Sequence, residues 1–171
     1  MSRPARNVEK RQATLQLTFC ADQAENIKPG ICFRAVPHTA NGEVNPKLPK
    51  SKRLKNENYA PSVNVYFQKN AYFDTHTCLA YAKDFKRETK SAEKLHQMDN
   101  LKGQSCPEFR KFMKEEANTL LLYTPPGCTD LCAAVDAGLG KSIKSLMKSF
   151  FEDDYENRMD LWDQNKISAR K

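Results

Sequence analysis

Two aspartates stand out among the acidic residues for where they fall: Asp99 in MDNLKGQ and Asp136 in PPGCTDLCAAVDAGLGKSIK. Each lies where a strand or loop hands over to a helix. Taken singly, each is the residue type that caps a helix or closes a turn; together, with Asn100 beside the first, they invite a joint reading. A second group is basic. PKLPKSKRLKN carries Lys50, Lys52, Arg53 and Lys55 within one short stretch, a composition suited to phosphate contacts or nuclear import and equally to a solvated loop. Lys141 and Lys144 add two cations off the apolar stripe of the last helix. The six cysteines, at positions 20, 32, 78, 106, 128 and 132, follow no secretory h-region, which favours a reducing compartment and small buried hydrophobes over a disulfide framework. Cys128 with Cys132, and His76 with Cys78, match no familiar four-ligand zinc module.

The elements that must position these residues fit into one domain. A chain of 171 residues is long enough to bury a core, and 39% hydrophobic with 29% charged residues is a globular balance. The mean hydropathy of -0.75 leans polar. A net charge of +7 favours a polyanionic partner. No apolar run approaches the roughly 20 residues of a membrane span, so the reading is of a soluble protein with no membrane partner.

Residues 1–10 are polar and aperiodic and read as a disordered lead-in. ATLQLTF alternates from Ala13 to Phe19 as a strand, and Pro29-Gly30 turns the chain into a returning strand at Ile31–Ala35. The four prolines and the basic cluster of residues 37–62 predict a long surface loop. Val63–Gln68 reads as a strand. Asp74 and Thr75 cap a helix over about 75–88. Lys94–Met98 is a short strand ending at Asp99. Pro107 opens a helix to about Ala117, Thr119–Tyr123 is a buried strand, and Ile143, Leu146, Met147, Phe150 and Phe151 recur on an amphipathic helix over about 138–162, leaving a tail at 163–171.

The ordered string of segments resembles the catalytic domain of DDE-superfamily endonucleases of the pogo, Tigger and jerky transposase kind, over roughly residues 11–160. The resemblance rests on RQATLQLTFCAD with KPGICFR, on VYFQKNAYFDT, on the Asp99-Asn100 dipeptide ending a strand, and on Pro125-Pro126, Thr129-Asp130-Leu131 and Asp136-Ala137-Gly138, with Asp136 standing 37 positions after Asp99. It implies an α/β fold, a ribonuclease-H-like mixed sheet flanked by helices. It also implies three carboxylates holding two Mg²⁺ or Mn²⁺ ions about 3.5 to 4 Å apart, which activate the attacking oxygen and stabilise the leaving oxygen of a phosphodiester. Asp99 is then the second metal-binding carboxylate, Asp136 the third, and Asn100 an orienting neighbour.

The family's first carboxylate ends a strand before the one that RQATLQLTF resembles. Here that stretch is MSRPARNVEK, without alternation and without Asp, and Ala133-Ala134 stands where the family often has Gln-Pro. The resemblance therefore implies a sheet without its first strand, no helix-turn-helix region, and a nuclear, transposon-derived domain that binds DNA, takes no small-molecule substrate, self-associates through uncovered core, and does not cut DNA by itself. The alternatives are an endonuclease whose first carboxylate comes in trans or from Asp22, and a protein-interaction module.

Overall fold

A computed structural model of the chain describes residues 13–21, 27–90, 92–125, 127, 138 and 140–163. It is a mixed α/β protein whose described residues form three small sheets and four helices. They fall into two compact units, divided between Thr124 and Pro125.

In the first unit, β1 (Ala13–Gln16) pairs antiparallel with β2 (Gly30–Arg34), and β2 pairs parallel with β5 (Asn64–Gln68). The hairpin read from the sequence is therefore present, with a shorter first strand than alternation suggested. Strand β5 feeds α2 (Thr75–Glu88), where Asp74 is the N-cap and its Oδ1 accepts from the Thr77 amide at 3.0 Å. Next come β6 (Lys94–Met98), α3 (Pro107–Glu115) and β7 (Thr119–Tyr123), with β6 and β7 parallel in register from Lys94–Thr119 to Met98–Tyr123.

Residues 37–62 are not the loop that their prolines suggested. They build a hairpin of β3 (Pro37–Ala40) and β4 (Glu43–Pro49), followed by the single-turn helix α1 (Lys52–Lys55). The turn is Asn41-Gly42, with φ of 52° and 80°; positive φ at both central positions is what a tight hairpin needs to match strand twist. Pro37 opens β3 and Pro49 closes β4, and Pro46 lies where the register breaks, so the regular ladder of residues 38–40 with 43–45 contains no proline and loses no amide donor.

Sheet and helix directions follow from side-chain contacts. Asn64, at the start of β5, donates to Glu88 at the end of α2 (2.9 Å), whereas Gln68, at the end of β5, donates to Asp74 at the start of α2 (3.2 Å). Similarly, His96 of β6 stacks edge-on against Phe85 near the end of α2, and Gly103, beyond β6, lies against the backbone of Phe73 and Asp74. Strands β5 and β6 therefore both run against α2 and share one sense with β2 and β7, while β1 is reversed. Cys32, Tyr66, Phe73, Cys78, Tyr81, Phe85, Met98, Phe109 and Met113 form the core between these strands and α2 and α3. Burial pushes the Cys32 and Cys78 thiols up to about 12, so these two are the protonated small hydrophobes that the sequence suggested. Cys20 and Cys106 are half-buried, and Cys128 and Cys132 lie outside the described residues.

The β5–α2 interface is polar on one face. Asn64, Tyr66 and Gln68, two residues apart, donate to Glu88, Asp84 and Asp74 respectively, with Tyr66 Oη 2.6 Å from Asp84 Oδ2. Burial, and then the hydrogen bond to Asp84, raise the Tyr66 phenol above its ordinary range, so it remains the donor. Asp84 is buried and also receives Lys47 of β4 and, at 2.9 Å, Arg87. Lys47 Nζ additionally sits 4.4 Å from the centroid of the Tyr66 ring. Among the described residues no buried side-chain nitrogen or oxygen lacks a partner.

Two outcomes test this account. Replacing Asp84 with Ala leaves Tyr66 and two cations without their acceptor, and the cost in a urea titration should fall toward the lower end of ~3–5 kcal/mol, because Lys47 and Arg87 can turn to water. Lys47→Met should cost less, since Arg87 still neutralises Asp84. The second concerns acid. Burial lowers His96 from 6.5 to about 4. Its folded value lies below its unfolded one, so its contribution is complete above pH 6.5, falls as pH drops toward about 4, and amounts to roughly 3 kcal/mol at most. His96→Gln should flatten the stability–pH curve in that window.

Candidate metal and nucleic-acid site

Asp99 and Asn100 follow β6 directly, at the C-terminal end of the β6–β7 pair, the end at which β2 and β5 of the neighbouring sheet also have their C-termini. Parallel strands leave loops at that end, and α/β proteins place their ligands there. Both residues are exposed, and Asp99 Oδ1 accepts from the Asn100 amide at 2.7 Å. The carboxylate is thus on the solvent side of a turn that its own backbone helps to close.

The segment beyond it is held from several sides. The amides of Gln104 and Ser105 both donate to the Leu101 carbonyl, at 3.0 and 2.9 Å. The Gln104 side chain is buried and donates to Gln16 of β1 (3.2 Å), and the Gln104 backbone carbonyl accepts from the Tyr123 hydroxyl (2.6 Å). Arg110 of α3 covers the Tyr123 ring at 4.8 Å, and the Thr124 amide donates to the Met98 carbonyl at 2.9 Å. Gly103 has no space for a side chain: a Cβ there would meet the Phe73 carbonyl oxygen at 2.6 Å and Cys78 Sγ at 2.8 Å. Sequence reading singled out Asp99 but missed Gln104 and Gly103, which fix the turn; a glycine five residues after a strand end was the available signal.

Asp136 lies outside the described residues, as do Asp22 and the Thr129-Asp130-Leu131 segment. Among the described residues no group of three or more His, Cys, Asp and Glu side chains is placed to hold a metal ion. Hard divalent ions take oxygen ligands and keep several waters, so Asp99 fits one ligand of such an ion and does not constitute a site by itself.

The basic residues divide. Lys50, Lys52, Arg53 and Lys55 are exposed at the end of the β3–β4 arm and on α1, where Ser51 caps the turn and Arg53 approaches Glu57 at 3.6 Å. Lys47, from the same stretch of sequence, is committed to Asp84 and is not available to a ligand. Lys141 and Lys144 are exposed on α4 (Gly140–Asp163), in the second unit. Among the described residues no helix is long and apolar enough to cross a membrane. No family model, no curated protein and no solved structure matches the chain.

The rigidity of the turn is testable. Gly103→Ala should destabilise the protein by about 1–3 kcal/mol, since the new methyl meets a backbone carbonyl and not a flexible side chain. Asp99→Asn, at an exposed position, should leave the free energy of unfolding in a urea titration within about half a kcal/mol of wild type.

Proposed function

We propose that this chain is a nucleic-acid-binding domain of ribonuclease-H-like architecture, related to the DDE endonucleases of transposons and unable to cut DNA by itself. The observation that carries the reading is the position of Asp99-Asn100 at the C-terminal end of β6, a parallel strand that alternates with helices, where the resemblance requires a metal-binding carboxylate. The strand senses support it. Strand β1 reversed against β2, with β6 and β7 parallel and in the sense of β2, is the order of a ribonuclease-H-like sheet around a first strand, with β5 added outside β2. That first strand would stand between β1 and β6. Among the described residues β1 is laddered only to β2, and β6 only to β7. Leu95, Leu120 and Leu122 are exposed on the face of β6 and β7 opposite His96 and Leu121, an apolar face of the kind that a helix covers in a two-faced α/β sheet.

DNA binding rests on the cations. Lys50, Lys52, Arg53 and Lys55 present a compact exposed group on α1 and the adjoining turn, and Lys141 and Lys144 add charge on α4. Contacts of this type reach phosphates and read no bases. Asp99 would be one oxygen ligand of a Mg²⁺ or Mn²⁺ ion, which supplies Lewis-acid stabilisation of a phosphate oxygen; a two-ion clamp needs further carboxylates.

Anisotropy titration with duplex DNA should give binding that weakens steeply with salt, is indifferent to sequence, and loses salt dependence when Lys50, Lys52, Arg53 and Lys55 are changed to Glu. No binding at about 50 mM salt, where phosphate contacts are strong, would remove nucleic acid as a partner. In a plasmid-nicking assay with Mg²⁺ or Mn²⁺, the wild-type chain, Asp99→Asn and Asp136→Asn should be equally inactive. Metal-dependent nicking by the wild type that both substitutions abolish would instead establish a complete enzyme.

A further inference from the structure

Helix α4 (Gly140–Asp163) is 24 residues long and exposes four large apolar side chains: Leu146 is 59% exposed, Met147 41%, Phe150 68% and Phe151 67%. Spacings of three and four residues put them on one stripe, extended by Ile143, so the helix offers two large aromatic rings and two long aliphatic side chains to water. A stripe of that kind needs a covering surface. What identifies the occupant is the charge along the helix axis.

The charges are segregated. From Gly140 to Phe151 the only ionisable side chains are Lys141, Lys144 and Lys148; from Glu152 to Asp163 they are Glu152, Asp153, Asp154, Glu156, Asp160 and Asp163, with Arg158 the one cation and Tyr155 the one phenol. No acid stands in the first turn and no base in the last. The pattern opposes the helix macrodipole, which favours acids near the N-terminus and bases near the C-terminus. An isolated α4 is therefore disfavoured by its own charges as well as by its exposed rings. A partner helix of the same sequence running the other way reverses both effects. It brings Lys141, Lys144 and Lys148 beside the acidic half of its neighbour, sets the two dipoles side by side and antiparallel, and joins the stripes with Phe150 and Phe151 near the middle. A parallel pair would set like charges side by side.

We propose that α4 is a self-pairing surface that joins two copies of this chain as an antiparallel helix pair. The contact is isologous, with the same patch used on both copies, so it closes as a dimer and does not propagate. It shares Lys141 and Lys144 with the nucleic-acid reading but uses neither Asp99 nor the α1 cations, so the Phe150 and Phe151 substitutions test it separately from DNA binding. The ion pair within the helix between Lys148 and Glu152, at 3.6 Å, can remain or exchange partners at the interface.

The experiment uses the full chain in sedimentation equilibrium across the micromolar range. Wild type should dimerise, and Phe150→Asp with Phe151→Asp should be monomeric with unchanged helical circular dichroism, because both positions are exposed within the chain. Two charge variants decide the orientation. One changes Lys141, Lys144 and Lys148 to Glu; the other changes Glu152, Asp153, Asp154 and Glu156 to Lys. Each should self-associate at least about tenfold more weakly than wild type, a change of ~1.4 kcal/mol, and an equimolar mixture should recover a mixed dimer. A wild-type chain that is monomeric throughout, as it would be if the stripe were covered within its own chain, overturns the proposal. So does a dimer that survives the Phe150 and Phe151 substitutions, or charge variants that pair with themselves as well as with each other.

Discussion

The carboxylate of Asp84 is the interaction on which the first unit is organised. It lies on the inner face of α2, where a lone charge would be strongly disfavoured, and it is held there by the Tyr66 hydroxyl from β5, the Lys47 ammonium from β4 and the Arg87 guanidinium from its own helix. Three separate stretches of chain must be in place before its desolvation is offset. The same helix face carries Asp74 and Glu88, each meeting a β5 amide side chain two residues from Tyr66, so α2 is registered on the sheet by directed hydrogen bonds as well as by packing. Apolar contacts tolerate sliding; three donor–acceptor pairs at fixed spacing do not.

This registration has consequences at the far end of the sheet. Because Gln68 and Asp74 fix the start of α2, they also fix the Phe73 and Asp74 backbone against which Gly103 rests, and Gly103 in turn sets the path of the chain leaving Asp99. The exposed carboxylate is thus carried on a turn supported by β1 through Gln16, by β7 through Tyr123 and by α2 through Gly103. The backbone that bears Asp99 is therefore braced by three elements although the side chain itself lies in solvent.

Much of this order was legible in the sequence because it is local. The β5 strand, the Asp74 cap with α2 behind it, the Pro107 start of α3 and the apolar TLLLY strand each announce themselves within a few residues. KLHQM was legible as a strand despite its polarity, and the structure supplies the reason: His96 and Met98 face the core while Leu95 and Gln97 face out, so one face only had to be apolar. The arm at 37–62 was misread because proline count outweighed a two-residue signal. Asn41-Gly42 specifies a hairpin turn, and the prolines fall at strand ends and at the register break, where no donor is missed. The Asp84 network was not legible at all. It joins residues 47, 66, 84 and 87, and no periodicity in the sequence relates a lysine on an arm to an aspartate in a helix. Of the candidate site, the strand end at Asp99 was readable from its DN dipeptide, whereas its geometric relation to Asp136 lies outside the described residues.

Net charge is a poor guide to what this protein offers a polyanion until the ion pairs are known. Of the cations in the first unit, Lys47 and Arg87 neutralise Asp84 and Lys86 pairs with Glu116 at 2.7 Å, where hydrogen bonding and charge together hold the Glu116 carboxyl below its ordinary range. Those three add structure and little outward field. Among the described residues Lys50, Lys52 and Lys55, on and beside α1, enter no ion pair, and Arg53 meets Glu57 only at 3.6 Å across solvent, a contact of small energy. The basic run in the sequence therefore splits by depth. Its first lysine, Lys47, binds the arm to the core, and in doing so it fixes the base of the turn on which the remaining four cations are displayed. The spacing of those four charges is set by the α1 turn itself, and what the buried aspartate of another element adds is the anchoring of the arm that carries them.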